Sequence, residues 1–404
     1  MSLAIAILGL AFLILVHEAG HFFASLAVGL RPRRFYVGFP PPLVKTTRQG
    51  IEYGIGMIPL GGFVTIPGMH RPIAHDAERR FSRAVAEAPA LAGPVDRVKR
   101  SLDTGDFTET SVTLDDLVTA LRSASLSAGA QATAEKGLTE LRDALGDDAY
   151  WKAPTWKRLV AIVAGPMANV ALTIVAFTIL FTQVGGNPSR TVASVSTDSP
   201  AARAGVLAGD RVVAVDGVAV SGKELGDRIL ASSGRPLILT VVRSGEELKL
   251  GPVTPMKTEG GYRIGIVREG TGLPPLAAIG RAFEVTGIVT REIVKSIGRL
   301  AGGEGREDVA SPIGITRVSS DAVEEGLESY LWVLGVISLS LALLNLLPLL
   351  PLDGGHILFA LAEKVYRRPI PRVVFERVSV VGIVLMLMLF TVGLNNDIGR
   401  LGGP

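Results

Sequence analysis

The 404-residue sequence contains no cysteine. Disulfide bonds, thiolate metal ligands and a cysteine nucleophile are therefore excluded. Charged residues are also scarce, at 20% of the chain. The formal net charge is only +3, and the basic residues are interleaved with acidic ones. A nucleic-acid partner needs a basic patch or stripe, so we expect no such partner.

Apolar residues make up 48% of the chain, and the mean hydropathy is positive. About 20 helical residues are needed to cross a bilayer core of roughly 30 Å. Four segments are long and apolar enough: residues 3–30, 158–183, 331–352 and 378–394. The sequence therefore predicts a multi-pass α-helical membrane protein with four transmembrane helices.

The basic residues near the ends of these segments predict the orientation. They follow the first segment, flank the start of the second and crowd the short connection between the third and the fourth. Both connections are therefore expected in the cytoplasm, with both termini extracytoplasmic. The N-terminus lacks the basic start of a cleaved signal peptide, so the first segment is expected to remain.

Composition divides the chain into eight predicted parts. Residues 31–69 are rich in β-formers, glycine and proline, which predicts a β-hairpin with Pro59, Gly61 and Gly62 at its turn. Residues 70–150 form a polar cytoplasmic insert, helical at 114–124 and 134–145. The full division is 1–30, 31–69, 70–150, 151–184, 185–257, 258–330, 331–363 and 364–404.

Two of these parts lie in the long extracytoplasmic connection. Residues 185–257 alternate short strands with turns and one helix near 222–232, which predicts a compact α+β module. Residues 258–330 contain an amphipathic helix, which would lie on the membrane face or pack in a core. Its apolar stripe comprises Ile279, Phe283, Ile293, Ile297 and Leu300.

The segment VHEAGH places two histidines and a glutamate inside the first apolar run. Positions i and i+4 share a helix face, so His17 and His21 can bind one metal ion, and Glu18 can accept a proton from water. A charged group at the centre of a membrane helix costs on the order of 2.5–3.5 kcal/mol. A metal site accounts for that cost better than helix packing does.

A hydrolytic zinc site usually has three protein ligands and water. His70 and His75 lie in the polar insert, outside the membrane, so they are poor candidates for the third. Asp353 follows an apolar run in "NLLPLLPLDGGH", where glycines permit a close backbone approach, and we favour it over its rival, His356. The prolines and glycines of this segment predict irregular backbone, which at membrane depth is tolerated only beside a cavity or buried in protein.

These motifs resemble the site-2 protease family of intramembrane zinc metalloproteases. HEAGH in the first helix and LDGGH in a later one are similar to that family's metal-binding motifs. "AGPMAN" (164–169) and "SPIGI" (311–315) resemble further family segments, and "IPLGGF" (58–63) resembles the family's membrane-associated β-hairpin. "SPAARAGVLAGDRVVAVDG" (199–217) resembles a PDZ domain. This combination is similar to the regulator of sigma-E protease and its actinobacterial relatives.

The resemblance implies one zinc ion bound by His17, His21 and Asp353, with Glu18 as the catalytic acid/base. It also implies a bacterial inner-membrane enzyme that cleaves single-pass membrane substrates of the anti-sigma-factor type. The PDZ module would filter substrates by size or bind a peptide tail. The apolar helices themselves predict contact with the lipid bilayer.

Four residues are weaker candidates for contact with the substrate. Asn169 and Asn345 are polar groups in apolar helices, where helix–helix hydrogen bonding is an equal alternative. Gly61 and Gly62 are also candidates, although a turn explains them better.

Two rival functions remain: a PDZ membrane adaptor with a structural metal, and a metal transporter. An adaptor with a structural metal has no use for a catalytic glutamate, so Glu18 argues against that function. A metal transporter would need more intramembrane carboxylates than Glu18 and Asp353.

Overall fold

The computed structural model describes residues 1–183, 188–258, 261–270 and 272–401, so the predicted start of the PDZ module at residue 185 lies outside the described residues. The first helix, α1, spans Ser2–Ala27. It ends before Gly29, whose φ of +83° suits a helix C-terminus. One face of α1 is buried, and it carries Ala6, Leu13, His17, His21, Phe22 and Ser25.

Two long strands follow, β1 (Arg34–Arg48) and β2 (Ile51–Thr65). They are joined by Gln49 and Gly50, which both have positive φ, as a two-residue hairpin turn requires. The turn predicted at Pro59, Gly61 and Gly62 is therefore wrong, because these residues lie within β2. Gly62 instead permits close strand packing, since an added Cβ would overlap the Tyr36 carbonyl oxygen.

The hairpin folds back on itself. Residues 34–37 are paired with residues 52–55 and also with residues 62–65. The Arg33 N–H donates to the Thr65 carbonyl at 2.8 Å, and the Glu52 N–H donates to the Arg33 carbonyl at 2.9 Å. Residues 62–65 are thus paired with β1 on one side only, and their other edge faces α1.

The polar insert is a four-helix unit with its own core. The structure has helices at both predicted stretches, and each is longer than predicted. Capping explains the added turns, because the side chains of Asp106 and Ser127 accept hydrogen bonds from the first N–H groups of the third and fourth of these helices. The helices are α2 (Ala74–Glu87), α3 (Ala92–Thr104), α4 (Phe107–Ser123) and α5 (Ala128–Leu145), and the core includes Phe81, Val98, Leu114, Leu117 and Leu141.

After α6 (Thr155–Gln183), the chain forms a mixed α+β region. It contains α7 (Pro200–Arg203) and α8 (Gly222–Ala231), and α8 lies where the sequence predicts a helix. The strands are β3 (Pro188–Val195), β4 (Arg211–Val215), β5 (Val218–Ala219), β6 (Leu237–Arg243), β7 (Glu246–Val253), β8 (Met256–Thr258), β9 (Gly261–Arg263) and β10 (Ile266–Gly270). The main sheet has the order β10-β3-β4-β6-β7.

The amphipathic helix, α9, spans Pro275–Ala301. Its small residues Ala278 and Ala282 pack with Phe177, whereas Ile279 is 40% exposed and Phe283 is 58% exposed. The alternative that the apolar stripe packs in a core is therefore wrong for Ile279 and Phe283. Small side chains allow α9 to approach the aromatic ring closely, which leaves the larger ones outside.

In the described residues after α9, four more α-helices follow: α10 (Pro312–Glu325), α11 (Leu327–Asn345), α12 (Asp353–Tyr366) and α13 (Arg372–Leu401). Among the described residues, four helices are long and apolar enough to cross a membrane, as predicted: Ser2–Ala27, Thr155–Gln183, Leu327–Asn345 and Arg372–Arg400. The third is shorter than predicted because Pro348 and Pro351 interrupt the chain after Asn345.

Chain contacts divide the protein into two compact units. One comprises residues 1–172, 293–321 and 337–404, and the other comprises residues 173–292 and 322–336. The HEAGH motif, the folded-back hairpin, the insert and the start of α12 all belong to the first unit. The α+β region belongs to the second.

Candidate metal centre

Three potential ligands from two helices converge in the first unit. His17 Nε2 and His21 Nε2 lie 3.2 Å apart on α1. Asp353 Oδ2, at the start of α12, lies 3.1 Å from His17 Nε2 and 3.3 Å from His21 Nε2. Tetrahedral ligands at about 2.0–2.1 Å from zinc are about 3.3 Å apart. The triangle therefore has the dimensions of one face of a zinc coordination shell.

The tautomer of His21 is fixed by a backbone carbonyl of α6. His21 Nδ1 lies 2.9 Å from the Ala161 carbonyl oxygen, which can only accept a hydrogen bond, so Nδ1 carries the proton. Nε2 is then left with its lone pair free for a metal, which is the usual outer-shell arrangement of a ligating histidine. Gly165, one turn further along α6, makes room for the ring, because an added Cβ would overlap it.

Asp353 Oδ2 is buried and has no hydrogen-bond partner in the described part of the chain. The two imidazole nitrogens are close to it but do not have hydrogen-bond geometry. A buried polar atom left in this state costs about 1–3 kcal/mol. A cation at the centre of the triangle would satisfy the carboxylate, and the donor set of two imidazoles and one carboxylate suits zinc.

Asp353 is held in place by the irregular segment between α11 and α12. Residues 346–352 leave the helix, and α12 restarts at Asp353. Gly354 and Gly355 permit this sharp re-entry, since an added Cβ at either position would overlap the backbone of residues 346–350. The predicted role of these glycines in close backbone approach agrees with this geometry.

Glu18 lies beside the triangle and contacts the hairpin. Its Oε2 accepts a hydrogen bond from the Val64 N–H at 3.1 Å. Since Thr65 directs its polar backbone groups towards β1, the alternation along a strand directs those of Val64 away from β1. Glu18 is thus held by the outer edge of residues 62–65, an arrangement that the sequence did not indicate.

The other predicted residues lie in different surroundings. His356 packs against Phe375, with ring centroids 5.3 Å apart, and is not part of the triangle. His70 also packs on Phe375, at 4.2 Å. The Asn345 side chain donates to the Leu341 carbonyl of its own helix. Asn169 is buried, and its backbone oxygen accepts from Ser338.

The roles of three residues at the site were not predicted from the sequence. Ala161 contributes only a backbone carbonyl and Val64 only a backbone N–H, and such groups leave no signal in the sequence. Gly165 is a glycine within an apolar helix, where it costs about 1 kcal/mol relative to alanine, so it should have indicated a packing or functional role.

Apolar helices that carry two imidazoles, a carboxylate and a neighbouring glutamate define the class of membrane zinc metalloproteases. Residues 5–389 match the family described as Peptidase family M50. The chain belongs to this family, the site-2 proteases, which confirms the resemblance seen in the sequence.

Relatives named "Putative zinc metalloprotease" extend over nearly the whole chain. One from Lactococcus lactis is 28% identical over 414 residues, covering 96% of each chain. One from Agrobacterium fabrum is 30% identical over 419 residues, covering 98% of this chain and 95% of the relative. One from Mesorhizobium japonicum is 30% identical over 413 residues, covering 96% of each. The protein is accordingly a zinc-dependent membrane metalloprotease.

Proposed function

We propose that this protein is an intramembrane endopeptidase that cleaves single-pass membrane proteins, of the anti-sigma-factor type, in regulated intramembrane proteolysis. His17, His21 and Asp353 bind zinc, and Glu18 is the catalytic acid/base. The observation that carries the proposal is the convergence of the three ligand atoms within 4.8 Å of one another, on or beside helices long and apolar enough to cross a membrane.

The residues of the site divide the chemistry among them. Zinc, when bound, supplies a Lewis acid that makes water acidic and polarises the scissile carbonyl. Glu18 accepts the proton of the attacking water and passes it to the leaving amide nitrogen. The Val64 N–H keeps the Glu18 carboxylate in place, and the Ala161 carbonyl keeps His21 Nε2 free of a proton.

The substrate must be extended before its peptide bond can be cut, because a helix conceals its peptide bonds in internal hydrogen bonds. Residues 62–65 offer an edge that is paired on one side only and that reaches Glu18. An unwound substrate added to this edge would lie next to the acid/base. The first part of β2 offers no such edge at Ile55, because this residue is paired on both sides, with Val37 and with Val44. The 62–65 edge is therefore the better place for a substrate strand.

Proline substitution tests the strand addition. Val64→Pro removes the edge N–H and should reduce cleavage, whereas Val64→Ala keeps the N–H and should have much less effect. In the structure the Val64 N–H donates to Glu18, so strand addition requires that this donor pass from Glu18 to the substrate backbone. The kinetic parameters separate the two roles, because loss of substrate pairing raises KM and misplacement of Glu18 lowers kcat. An unchanged KM in a folded, zinc-loaded Val64→Pro enzyme would refute strand addition.

The same proposal places the protein in the bacterial inner membrane, with both termini extracytoplasmic. The α+β region would then be extracytoplasmic, and its proposed role is that of a PDZ module that filters substrates by size or binds a peptide tail. The α2–α5 insert would be cytoplasmic. The basic residues at the ends of the membrane segments support this orientation.

Reporter fusions test the orientation. A reporter fused after residue 255, between β7 and β8, should be active outside the cytoplasm. One inserted in the loop 124–127, between α4 and α5, should be active in the cytoplasm. Activity of both reporters on the same side would contradict the proposed topology.

A further inference from the structure

A cavity of about 610 Å³ lies in the first unit, and it is not part of the triangle of ligands. Three segments line it: residues 69–73 after the hairpin, residues 150–158 leading into α6, and residues 356–375 from within α12 to the first turn of α13. The cavity is large enough for a small organic anion or a lipid headgroup.

Positive charge dominates the lining. Glu363 is the one carboxylate among the described lining residues, against six cationic side chains. His70 adds no charge, because burial and the neighbouring Arg372 lower its pKa to about 4. The six cations are Arg71, Arg158, Lys364, Arg367, Arg368 and Arg372.

Two of these cations are already neutralised. Arg158 donates to Glu363 Oε2 at 2.6 Å, and Arg372 pairs with Asp76 and Glu376. The remaining four have no carboxylate oxygen within 4.0 Å among the residues that the structure describes: Arg71, Lys364, Arg367 and Arg368. The charges of Lys364, Arg367 and Arg368 are therefore available for an anion. Arg71 has no carboxylate partner either, but its guanidinium carbon lies 4.8 Å from the centroid of the Phe107 ring.

The position of the cavity favours an anion with an apolar part. Arg158 lies in the first turn of α6, and Arg372 begins α13, and both helices are candidate membrane spans. Basic residues at such ends lie at the level of the lipid headgroups. Aromatic rings supply the apolar wall: Tyr150, Trp151, Phe359 and Phe375.

We propose that this cavity binds a phosphate group through Arg71, Lys364, Arg367 and Arg368. The phosphate group would be that of an anionic phospholipid or that of a soluble phosphate compound. Basic pockets between membrane helices bind anionic headgroups by the same chemistry. The guanidinium groups suit this ligand, because their planar N–H donors match phosphate oxygens in pairs.

The test uses the full-length protein purified in detergent, with three probes. Dioctanoyl phosphatidylglycerol represents an anionic lipid, dioctanoyl phosphatidylcholine represents a neutral one, and inorganic pyrophosphate represents a soluble phosphate. Binding is measured by isothermal titration calorimetry and by native mass spectrometry. The cavity variant is Arg367→Gln/Arg368→Gln. The matched control is Arg79→Gln/Arg122→Gln, which removes two exposed arginines of the insert that do not line the cavity.

We expect the wild-type protein to bind phosphatidylglycerol or pyrophosphate, and the cavity variant to bind it roughly tenfold more weakly or worse. The control should stay within about twofold of the wild type. Thermal unfolding should be unchanged in both variants, because the replaced cavity arginines pair with no described carboxylate.

The two probes identify the source of the phosphate. Loss of phosphatidylglycerol binding alone supports a lipid headgroup, and loss of pyrophosphate binding supports a soluble phosphate. Equal affinity in the cavity variant and the wild type would overturn the proposal. So would an equal loss in the control, or a wild-type protein that binds neither phosphatidylglycerol nor pyrophosphate.

Discussion

Glu18→Gln should reduce cleavage of a single-pass substrate by about 10²–10⁴-fold, the usual contribution of a general acid/base, while zinc remains bound. The glutamine amide has the size of the carboxylate but cannot accept the proton of water. Its carbonyl oxygen can still accept the hydrogen bond from the Val64 N–H, so the hairpin edge should stay in place. Cleavage rate and zinc content, measured on the same purified sample, check the prediction.

Glu78→Gln is the matched control, since Glu78 is an exposed glutamate on α2 in the insert. It makes the same chemical change away from the triangle, and cleavage should stay close to that of the wild type. Substantial cleavage by Glu18→Gln would assign the base to another residue. Loss of zinc together with activity would instead show that Glu18 stabilises the metal site.

Much of the site could be predicted because it depends on local spacing. His17 and His21 are four residues apart, so helix geometry alone places them on one face, and Glu18 follows within the same motif. The four described helices that are long and apolar enough to cross a membrane could be predicted for a similar reason, since hydropathy over about 20 residues measures the cost of burying polar groups in lipid.

Asp353 is separated from the histidines by more than 300 residues, so its proximity could not be derived from spacing. Chemistry restricted the choice to Asp353 and His356, and the resemblance to site-2 proteases favoured Asp353. The structure places Asp353 in the triangle and His356 beside Phe375. The physical reason is the restart of the helix at Asp353, which directs the first residue of α12 towards the histidines.

The hairpin shows where sequence reasoning fails. Glycine and proline at 59–62 indicate a turn, but Gly62 is needed for close packing on Tyr36, and the turn is formed at Gln49 and Gly50. Glycine has the same signature in both uses, because it relieves steric crowding in each. The hydrogen bond from Val64 to Glu18 depends on how the strands fold back, which no local pattern encodes.

Asp353→Ala should lower zinc affinity by more than about a hundredfold. Changes in outer-shell partners alone cost about 10–100-fold, and this substitution removes a ligand itself. His356→Ala should largely retain zinc, because the His356 ring packs on Phe375 and is not part of the triangle. The measurement is zinc content by elemental analysis, followed by competition with a chelator of known affinity.

Asp353→Asn refines this comparison, since it keeps the shape of the side chain but replaces the charged ligand with a neutral amide oxygen. Its affinity should fall between those of the wild type and Asp353→Ala, because both the charge and the donor atom contribute to binding. Equal loss of zinc in Asp353→Ala and His356→Ala would contradict the assignment. Without Asp353 the site retains only the two imidazole ligands of α1, which is one ligand fewer than a hydrolytic zinc site usually has.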